Sequence, residues 1–338
     1  MSRPDGGAPR LPAWVHSRLL KAAVSALLIG LLLWRVDTGE IAATLGEVSW
    51  GLLALGAGIF IVTNLVSAWK WGLVIRAQGD RVAYGYLAAL FYIGLFFNNF
   101  LPTNFGGDVV KAFKLSRMTG RAAEAAGSVV IDRVTSTIAL LTIAAVPALF
   151  ELRLLGARMA LIVLAMLLAA ALIVAFFASE RFARRLSGLR IFSFDPMGVR
   201  RHLKSFYYAL HDFRRHRGTL AAVMLVSLVY QGLQIITVYV LALSLGIEVS
   251  LIYYFLFIPI VLAVGMLPVS LNGLGVREGA WVLLFGQVGV ASAQAFTMSV
   301  LSFFVMTVVS LLGGFFYLFD RALPAAGASE AETGAGNG

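Results

Sequence analysis

Long runs of apolar residues, separated by short polar or basic segments, follow one another along the chain. Six of these runs are long enough for a transmembrane helix, because about 20 residues cross a hydrocarbon core of about 30 Å. They lie at 19–36, 49–69, 127–150, 159–178, 219–245 and 293–319. The pattern predicts an all-α polytopic membrane protein with six full transmembrane helices.

Two further apolar regions, 84–121 and 251–290, are interrupted by proline, glycine and polar residues. The candidate substrate-binding residues at these interruptions are Asn98, Asn99, Pro102, Asn104, Gly106, Gly107 and Asp108 in the first region, and Pro268, Ser270, Asn272, Gly273, Gly275, Arg277 and Glu278 in the second. Proline lacks a backbone donor and glycine permits positive φ, so both break helices. Backbone groups freed in this way cannot face lipid. Each region is therefore predicted to be a re-entrant hairpin that lines a polar cavity, with packing kinks or two full crossings as the alternatives.

The composition agrees with a membrane protein, since 60% of the 338 residues are hydrophobic and only 13% are charged. Soluble domains have about 25% charged residues. The chain has no cysteine, which excludes disulfides and thiolate metal sites, and its four histidines form no HExxH motif. No metal or cofactor is expected. The net charge of +10 is interpreted as a determinant of membrane orientation, because no nucleic-acid-binding motif is present.

Basic residues are concentrated between the apolar runs, and they predict the orientation of the chain in the membrane. They occur in the N-terminal segment 1–18, after the second span at Lys70, Arg76 and Arg81, at 111–121, and in the loop 179–218. The positive-inside rule places these segments in the cytoplasm, with the protein in a bacterial inner membrane. Residues 200–217 have the pattern of an amphipathic helix on the cytoplasmic leaflet, with a solvated connector as the alternative. Residues 322–338 are predicted to be disordered.

The two interrupted regions resemble each other, and this similarity predicts an inverted repeat. They contain LPTNFGGDVVKAFKL and LPVSLNGLGVREGAWVL, which share a Leu-Pro pair, a small polar residue, an asparagine, two glycines and a basic residue. Residues 19–150 form one predicted repeat and 151–321 the other; the first begins in the cytoplasm and the second begins outside. Many transporters have this arrangement, with the binding site at the interrupted helices near the midplane.

Charged residues within or beside the apolar runs are further candidates for function. They are Asp108, Asp132, Arg133, Arg277 and Glu278. Each charge at bilayer depth costs about 2.5–3.5 kcal/mol unless it is paired or hydrated. Static ion pairs are the alternative to a functional role, as is a shallow position near the headgroups for Asp132 and Arg133.

Neighbouring residues do not face each other on a helix, so the pairs 132–133 and 277–278 are expected to find partners elsewhere. The predicted network joins Arg133 to Asp108 or Glu278, and Asp132 to Arg277 or Lys111. The glycine-rich turns before Lys111 and Arg277 also present helix N-termini, which bind anions. In a membrane, the expected anion is a lipid phosphate.

The chain resembles the lysylphosphatidylglycerol synthase transmembrane-region family, also called flippase-like or UPF0104 proteins, in three segments: LPTNFGGDVVKAFKLSR, VVIDR at 129–133 and LPVSLNGLGVREGAW at 267–281. The resemblance extends from about residue 20 to residue 320, although Lys111 stands where many members have arginine. It implies a lipid-translocating membrane domain. In bifunctional relatives this domain precedes a soluble aminoacyl-transferase domain, and the short tail here is expected to mean a stand-alone form that is not an enzyme.

The leading hypothesis is a lipid flippase that moves an anionic or zwitterionic headgroup across the cytoplasmic membrane. One alternative is a polyprenyl-phosphate-dependent transferase, for which Asp37, Glu40 and Glu47 in the first external loop are the candidate acids. Another is a scaffold that organises a lipid-synthesis complex through the loop 179–218. The expected partners are membrane lipids, bound through the headgroup phosphate, with a homo-oligomer or a lipid-synthesis partner in addition; nucleic acid is not expected.

Overall fold

The computed structural model of the protein describes residues 38–100, 106–150, 217–265, 270 and 273–320, together with Leu27, Gly30 and Leu31. The described helices are α1 (Thr38–Gly46), α2 (Trp50–Ala77), α3 (Tyr84–Phe100), α4 (Gly106–Thr119), α5 (Ala122–Phe150), α6 (Arg217–Ser244), α7 (Leu251–Gly265), α8 (Val276–Gly286) and α9 (Ser292–Phe319). No strand occurs in these ranges. The all-α prediction is therefore confirmed for this part of the chain.

Four of the described helices, α2, α5, α6 and α9, are long and apolar enough to cross a membrane. They correspond to the predicted spans 49–69, 127–150, 219–245 and 293–319. The predicted spans 19–36 and 159–178 lie outside the described residues, apart from three residues of the first. Four membrane helices are thus confirmed by length and composition, and a total of six stays a prediction.

The second span differs from the prediction at its C-terminal end. Helix α2 runs to Ala77, eight residues beyond the predicted end at 69, because apolar sequence resumes after Lys70. Lys70 is consequently 0% exposed inside the helix and does not lie in a loop, whereas the cytoplasmic side of the segment 70–81 stays a prediction. Lys111 is likewise buried, on α4, and the cytoplasmic side of the segment 111–121 stays a prediction. The neighbouring Arg76 and Arg81 are exposed, as expected for basic residues at a helix end.

The first interrupted region consists of α3 and α4, which have 17 and 14 residues and pack against each other. Gly94 on α3 faces Gly107 on α4 so closely that a Cβ atom on Gly107 would lie 1.7 Å from the Gly94 carbonyl oxygen. Asn98 Oδ1 accepts a hydrogen bond from Gly107 N at 2.8 Å. The two glycines therefore allow the backbones of these short helices to meet. Residues 101–105 between them lie outside the described residues.

The second interrupted region consists of α7 and α8, which have 15 and 11 residues and also pack against each other. Gly273 and Gly275 have φ angles of 75° and 84°, which favour glycine. A Cβ atom on Gly273 would lie 2.7 Å from the Gly265 carbonyl oxygen. Each of the four hairpin helices is shorter than the roughly 20 residues of a full span. These lengths agree with re-entrant hairpins, whose topology in the membrane stays a prediction.

The chain divides into two compact units, each named here after its hairpin. The described part of the α7–α8 unit comprises α1, α7, α8 and residues 47–56, 235–250 and 287–304. The described part of the α3–α4 unit comprises α3, α4, α5 and residues 57–83, 217–234 and 305–320. The core of the α7–α8 unit is aromatic, with Trp281 stacked on Phe285 at 5.0 Å and Phe257 against the same ring at 5.3 Å. The core of the α3–α4 unit includes the buried Trp71 and Leu90.

Several predictions concern residues that the structure does not describe. They include the N-terminal segment 1–18, the loop 179–218 with its helix 200–217, and the tail 322–338, apart from residues 217 and 218, which begin α6. The division into repeats 19–150 and 151–321, and the cytoplasmic position of the N-terminus, also stay predictions.

Candidate functional site

A buried ion pair joins α2 to α5 in the α3–α4 unit. The Lys70 ammonium lies 2.9 Å from Asp132 Oδ1, and both side chains are almost fully enclosed. Lys70 Nζ also donates to the Asp132 carbonyl oxygen at 3.3 Å and to Ser136 Oγ, and it lies 5.2 Å from the centre of the Tyr230 ring. These contacts compensate an ammonium group that solvent does not reach, as a buried charge requires.

A second group of charges surrounds Asp108 in the first turn of α4. Asp108 Oδ2 accepts a hydrogen bond from Arg133 Nε at 2.6 Å, and Asp108 Oδ1 lies 3.0 Å from Lys111 Nζ. Lys111 follows Asp108 by one helical turn, and its ammonium lies 4.7 Å from the centre of the Phe91 ring. One carboxylate therefore balances two cations.

The adjacent residues Asp132 and Arg133 link the two groups of charges. Consecutive side chains on an α-helix point about 100° apart. On α5, Asp132 therefore meets Lys70 of α2, while Arg133 meets Asp108 of α4. The predicted pair of Asp108 with Arg133 is confirmed. For Asp132 the prediction named other partners, and the structure corrects it because the ion pair is with Lys70.

These five charged groups carry an excess of positive charge. Three cations, Lys70, Lys111 and Arg133, face two carboxylates, Asp108 and Asp132, so the net charge is +1. The Arg133 side chain is 42% exposed, whereas none of the other four exceeds 8%. Asp108 engages only the Nε atom of Arg133, and neither Nη group donates to a described residue. The excess charge is therefore located at an accessible position.

Polar atoms without hydrogen bonds lie in and beside the first hairpin. Asn99 Nδ2 is buried and has no partner among the described residues. Asp108 Oδ1 and Asp132 Oδ1 contact ammonium groups at ion-pair distance but accept no aligned hydrogen bond. Buried polar atoms without such bonds are rare in folded proteins. These three atoms leave unused hydrogen-bonding capacity in and beside the first hairpin.

The charges of the second hairpin neutralise each other. Arg277 Nη2 and Nε both donate to Glu278 Oε1, at 2.5 and 3.1 Å. Glu278 Oε2 accepts a hydrogen bond from Gly275 N at 2.6 Å and so caps the start of α8. The prediction that these two neighbours seek partners elsewhere is wrong. In the first turn of a helix a capping glutamate turns back toward the helix start, where Arg277 reaches it.

The start of α8 is less suited to an anion than the sequence predicted. The Gly275 backbone donor, which an anion would use, is already bound to the Glu278 carboxylate. Ser270 lies at the interruption between α7 and α8, and its hydroxyl oxygen is buried without a hydrogen-bond partner among the described residues. In the part of the chain that the structure describes, no cluster of His, Cys, Asp and Glu could hold a metal ion.

The structure divides the predicted site residues into two groups. In the α3–α4 unit lie Asn98, Asn99, Gly106, Gly107, Asp108, Lys111, Asp132 and Arg133; in the α7–α8 unit lie Ser270, Gly273, Gly275, Arg277 and Glu278. Pro102, Asn104, Pro268 and Asn272 lie outside the described residues. Sequence reasoning missed Lys70, Ser136 and Tyr230. The available signal for Lys70 was its position between two tryptophans in an apolar run that continues after it.

Comparisons with known proteins agree with this architecture. The family model for the lysylphosphatidylglycerol synthase TM region matches residues 18–314. A UPF0104 membrane protein of Pyrococcus horikoshii is 26% identical over 337 residues, which cover 90% of this chain and 98% of the relative. A UPF0104 membrane protein of Methanothermobacter thermautotrophicus is 23% identical over 297 residues, which cover 82% of this chain and 87% of the relative. Because the family match covers most of the chain, this protein belongs to the lysylphosphatidylglycerol synthase transmembrane-region family.

Proposed function

We propose that this chain is a lipid flippase, which moves an anionic or zwitterionic lipid headgroup across the cytoplasmic membrane by binding its phosphate. Three observations support the proposal: the family membership, the apolar helices of membrane-spanning length, and the buried charges of the α3–α4 unit. In this mechanism the headgroup passes along the first hairpin while the acyl chains stay in the bilayer.

The net charge of +1 around Asp108 is the observation on which the proposal rests. A phosphodiester headgroup such as that of phosphatidylglycerol carries one negative charge, so its binding brings the total to zero. An uncompensated charge at bilayer depth costs about 2.5–3.5 kcal/mol, and pairing removes this cost for both partners. Arg133 is suited to the task because its planar guanidinium matches two phosphate oxygens.

Asp108 makes binding reversible in this mechanism. Its carboxylate occupies Arg133 Nε and contacts Lys111, and a phosphate oxygen can replace it at both. A phosphate that enters the site therefore competes with Asp108 for Arg133 and Lys111, and the ion pairs of Asp108 form again when the lipid leaves. Passage through a membrane needs this balance, because a substrate that binds too tightly does not leave.

The Lys70–Asp132 pair positions the site and does not itself contact the lipid. It is enclosed, and it ties α2 to α5 at the residue next to Arg133. Gln231 of α6 adds a hydrogen bond to the Ser136 carbonyl oxygen at 2.9 Å. Three helices are thus connected within one turn of Arg133. Groups that bind substrate act best when supporting contacts hold them in place.

The movement is proposed to come from rocking of the two inverted repeats around the interrupted helices, as in other transporters. The tight packing of Gly94 against Gly107 supports movement of α3 and α4 as one body. The sequence contains no Walker A motif. A gradient, a partner protein or downhill flow of lipid is the proposed drive.

A liposome assay with the purified protein tests the proposal. Fluorescent analogues of phosphatidylglycerol and phosphatidylcholine are placed in one leaflet, and their appearance in the other is measured by quenching. We expect Arg133→Gln to slow transfer by at least about tenfold, because a lost charge-assisted hydrogen bond costs about 1.5–3 kcal/mol. Arg117→Gln is the matched control, since Arg117 is exposed on α4 and should be replaceable without effect.

Two results contradict the proposal. One is an unchanged transfer rate in correctly inserted Arg133→Gln protein. The other is the lack of any transfer by the wild-type chain across a panel of headgroups. The transferase alternative predicts a different pattern, in which Asp37→Ala with Glu40→Ala abolishes activity; Glu40 is exposed on α1.

A further inference from the structure

The turn between α2 and α3 forms a basic concave surface that the transport mechanism does not use. A cavity of about 720 Å³ is lined by Arg76, Gly79, Arg81, Val82 and Ala83. This volume lies in the range of small-ligand sites, about 300–1,000 Å³. Arg76 and Arg81 are both exposed at this cavity. Two cations therefore border a space large enough for a charged group.

Arg121, at the start of α5, holds this turn in place. Its Nη1 atom donates to the Gln78 carbonyl oxygen at 3.0 Å and to Asp80 Oδ1 at 3.2 Å, and its Nη2 atom donates to Glu124 Oε1 at 3.0 Å. Gly79 reverses the chain with φ of 92°. The carboxylates of Asp80 and Glu124 are thus both bound to Arg121.

Arg76 and Arg81 consequently have no acidic partner among the described residues. Asp80, the residue directly before Arg81, forms its ion pair with Arg121. In the residues that the structure describes, no hydrogen bond or ion pair is formed by either guanidinium. Guanidinium groups bind phosphate oxygens through paired charge-assisted hydrogen bonds. The cavity therefore has the chemistry of a phosphate site.

Helix α2 indicates the depth of this cavity in the membrane. Trp50 and Trp69 are 76% and 47% exposed. They are separated by 19 positions, which correspond to about 29 Å of helix. Exposed tryptophans mark the two membrane interfaces, and this separation matches a hydrocarbon core of about 30 Å. Arg76 is seven positions beyond Trp69, about 10 Å further along the helix, so its long side chain can reach back to the lipid phosphates.

We propose that this cavity binds the phosphate of an anionic lipid, such as phosphatidylglycerol, at the membrane surface. Arg76 and Arg81 contact the phosphate oxygens, and Val82 and Ala83 contact the apolar part of the lipid beside it. The site is separate from the charges around Asp108, and it does not depend on the flippase proposal. Because α3 begins at Tyr84, the bound lipid lies at the entrance to the first hairpin.

Native mass spectrometry of the full chain from nanodiscs tests this proposal. The nanodiscs contain phosphatidylcholine with increasing fractions of phosphatidylglycerol, and retained lipids are counted. Arg76→Gln and Arg81→Gln are compared with Arg117→Gln, an exposed arginine that does not line the cavity. All three variants lose the same charge, and circular dichroism checks that each is folded. Arg81→Lys keeps the positive charge but lacks the planar guanidinium group that can bind two phosphate oxygens.

We expect Arg76→Gln and Arg81→Gln each to raise the phosphatidylglycerol fraction at half-occupancy by about tenfold or more. Arg117→Gln should shift it by no more than about fivefold, the general effect of one surface cation. Arg81→Lys should fall between these values. Equal shifts in all variants, or equal retention of phosphatidylcholine, would overturn the site.

Two further arms separate the remaining outcomes. Inorganic phosphate is titrated into phosphatidylcholine nanodiscs and followed by phosphorus NMR. Saturable phosphate binding that needs Arg76, with no preference for phosphatidylglycerol, overturns the lipid assignment in favour of a soluble anion. Arg133→Gln should leave in place the lipid whose retention depends on Arg76; if Arg133→Gln and Arg76→Gln remove the same bound lipid, with no further loss in the double variant, that lipid lies at the hairpin and the surface site is overturned.

Discussion

The two hairpins share short helices, close glycine contacts and buried charges, but their charges are arranged differently. In the α3–α4 unit, Asp108 is shared by cations from two helices, and the five charges around it sum to +1. In the α7–α8 unit, Arg277 and Glu278 sit side by side, and the carboxylate also caps its own helix. The first arrangement has an accessible guanidinium, and the second is neutral.

The two hairpins therefore share a sequence motif but differ in how their charges are arranged. In the first hairpin the acid precedes the cation by one turn, and its carboxylate contacts both Lys111 on its own helix and Arg133 on α5. In the second hairpin the acid directly follows the cation and turns back to Gly275. Asp108 and Glu278 are both the third residue of their helices, so the hairpins differ in the order of acid and cation along the helix and not in the distance of the acid from the helix start. We therefore propose the first hairpin as the anion site.

The largest expected effect concerns the enclosed pair of the α3–α4 unit. Lys70→Met leaves the Asp132 carboxylate buried without its cation, which should lower the free energy of unfolding by about 3–5 kcal/mol. Lys70→Met with Asp132→Leu removes both charges and should recover most of this loss. Denaturant unfolding in detergent, followed by circular dichroism, measures both. Arg277→Met is the comparison in the other unit; if it destabilises as much as Lys70→Met, the contrast between the hairpins is wrong.

The next effect concerns backbone contact within the hairpins. Gly107→Ala places a methyl group 1.7 Å from the Gly94 carbonyl oxygen, so the helices must separate, at a cost of about 3 kcal/mol. Gly279→Ala on α8 meets no atom within 4 Å and should be neutral or stabilising by up to about 1 kcal/mol. Thermal unfolding of the two variants is the measurement. Equal behaviour would mean that α3 and α4 do not need their close approach.

A smaller effect concerns the competition at Arg133. Asp108→Asn removes the carboxylate that balances Arg133 and Lys111, so phosphate should bind more tightly and leave more slowly. We expect phosphatidylglycerol transfer to slow by about tenfold, equivalent to about 1.4 kcal/mol, while half-saturation moves to lower lipid fractions. The liposome assay across a range of lipid fractions measures both quantities. A slower rate without tighter binding would argue against Asp108 as the competing group.

The smallest effect concerns the neutral hairpin. Glu278→Gln keeps an oxygen that accepts from Gly275 N but leaves Arg277 without a carboxylate, so a loss of about 1 kcal/mol in stability is expected. Transfer should stay within about twofold of the wild-type rate, because the proposed anion site lies at the first hairpin. Unfolding and transfer are measured on the same preparation. A transfer defect larger than that of Asp108→Asn would reverse the assignment of the two hairpins.

The sequence predicts the long helices well because length and apolar content decide them. Helix ends are harder, and α2 shows the reason. A lysine in an apolar run reads as the start of a loop, yet a lysine with a partner remains inside the helix. The partner, Asp132, is 62 residues away in the chain. No local pattern reports such a pairing.

The candidate site was predictable only in part, because partners that are distant in the chain leave no local pattern in the sequence. Asp108 and Arg133 stand out as charges in apolar surroundings, and pairing them needs only the rule that buried charges seek opposite charges. Arg277 and Glu278 were misassigned because the rule for helix neighbours holds in helix interiors. At the first turn the backbone donors are free, and a glutamate at this position bonds to them in preference to a distant cation.

The 62 residues between Lys70 and its counter-ion also bear on how the chain is made. During synthesis α2 leaves the ribosome before α5 exists, so it enters the insertion machinery with an unpaired ammonium. Lys70 lies seven residues from the end of α2, and its long side chain can reach toward the headgroups in the meantime. When α5 arrives, Asp132 draws this ammonium into the helix bundle. The Lys70–Asp132 ion pair therefore forms as a late assembly step, which fixes α2 at its final depth only after α5 has been inserted.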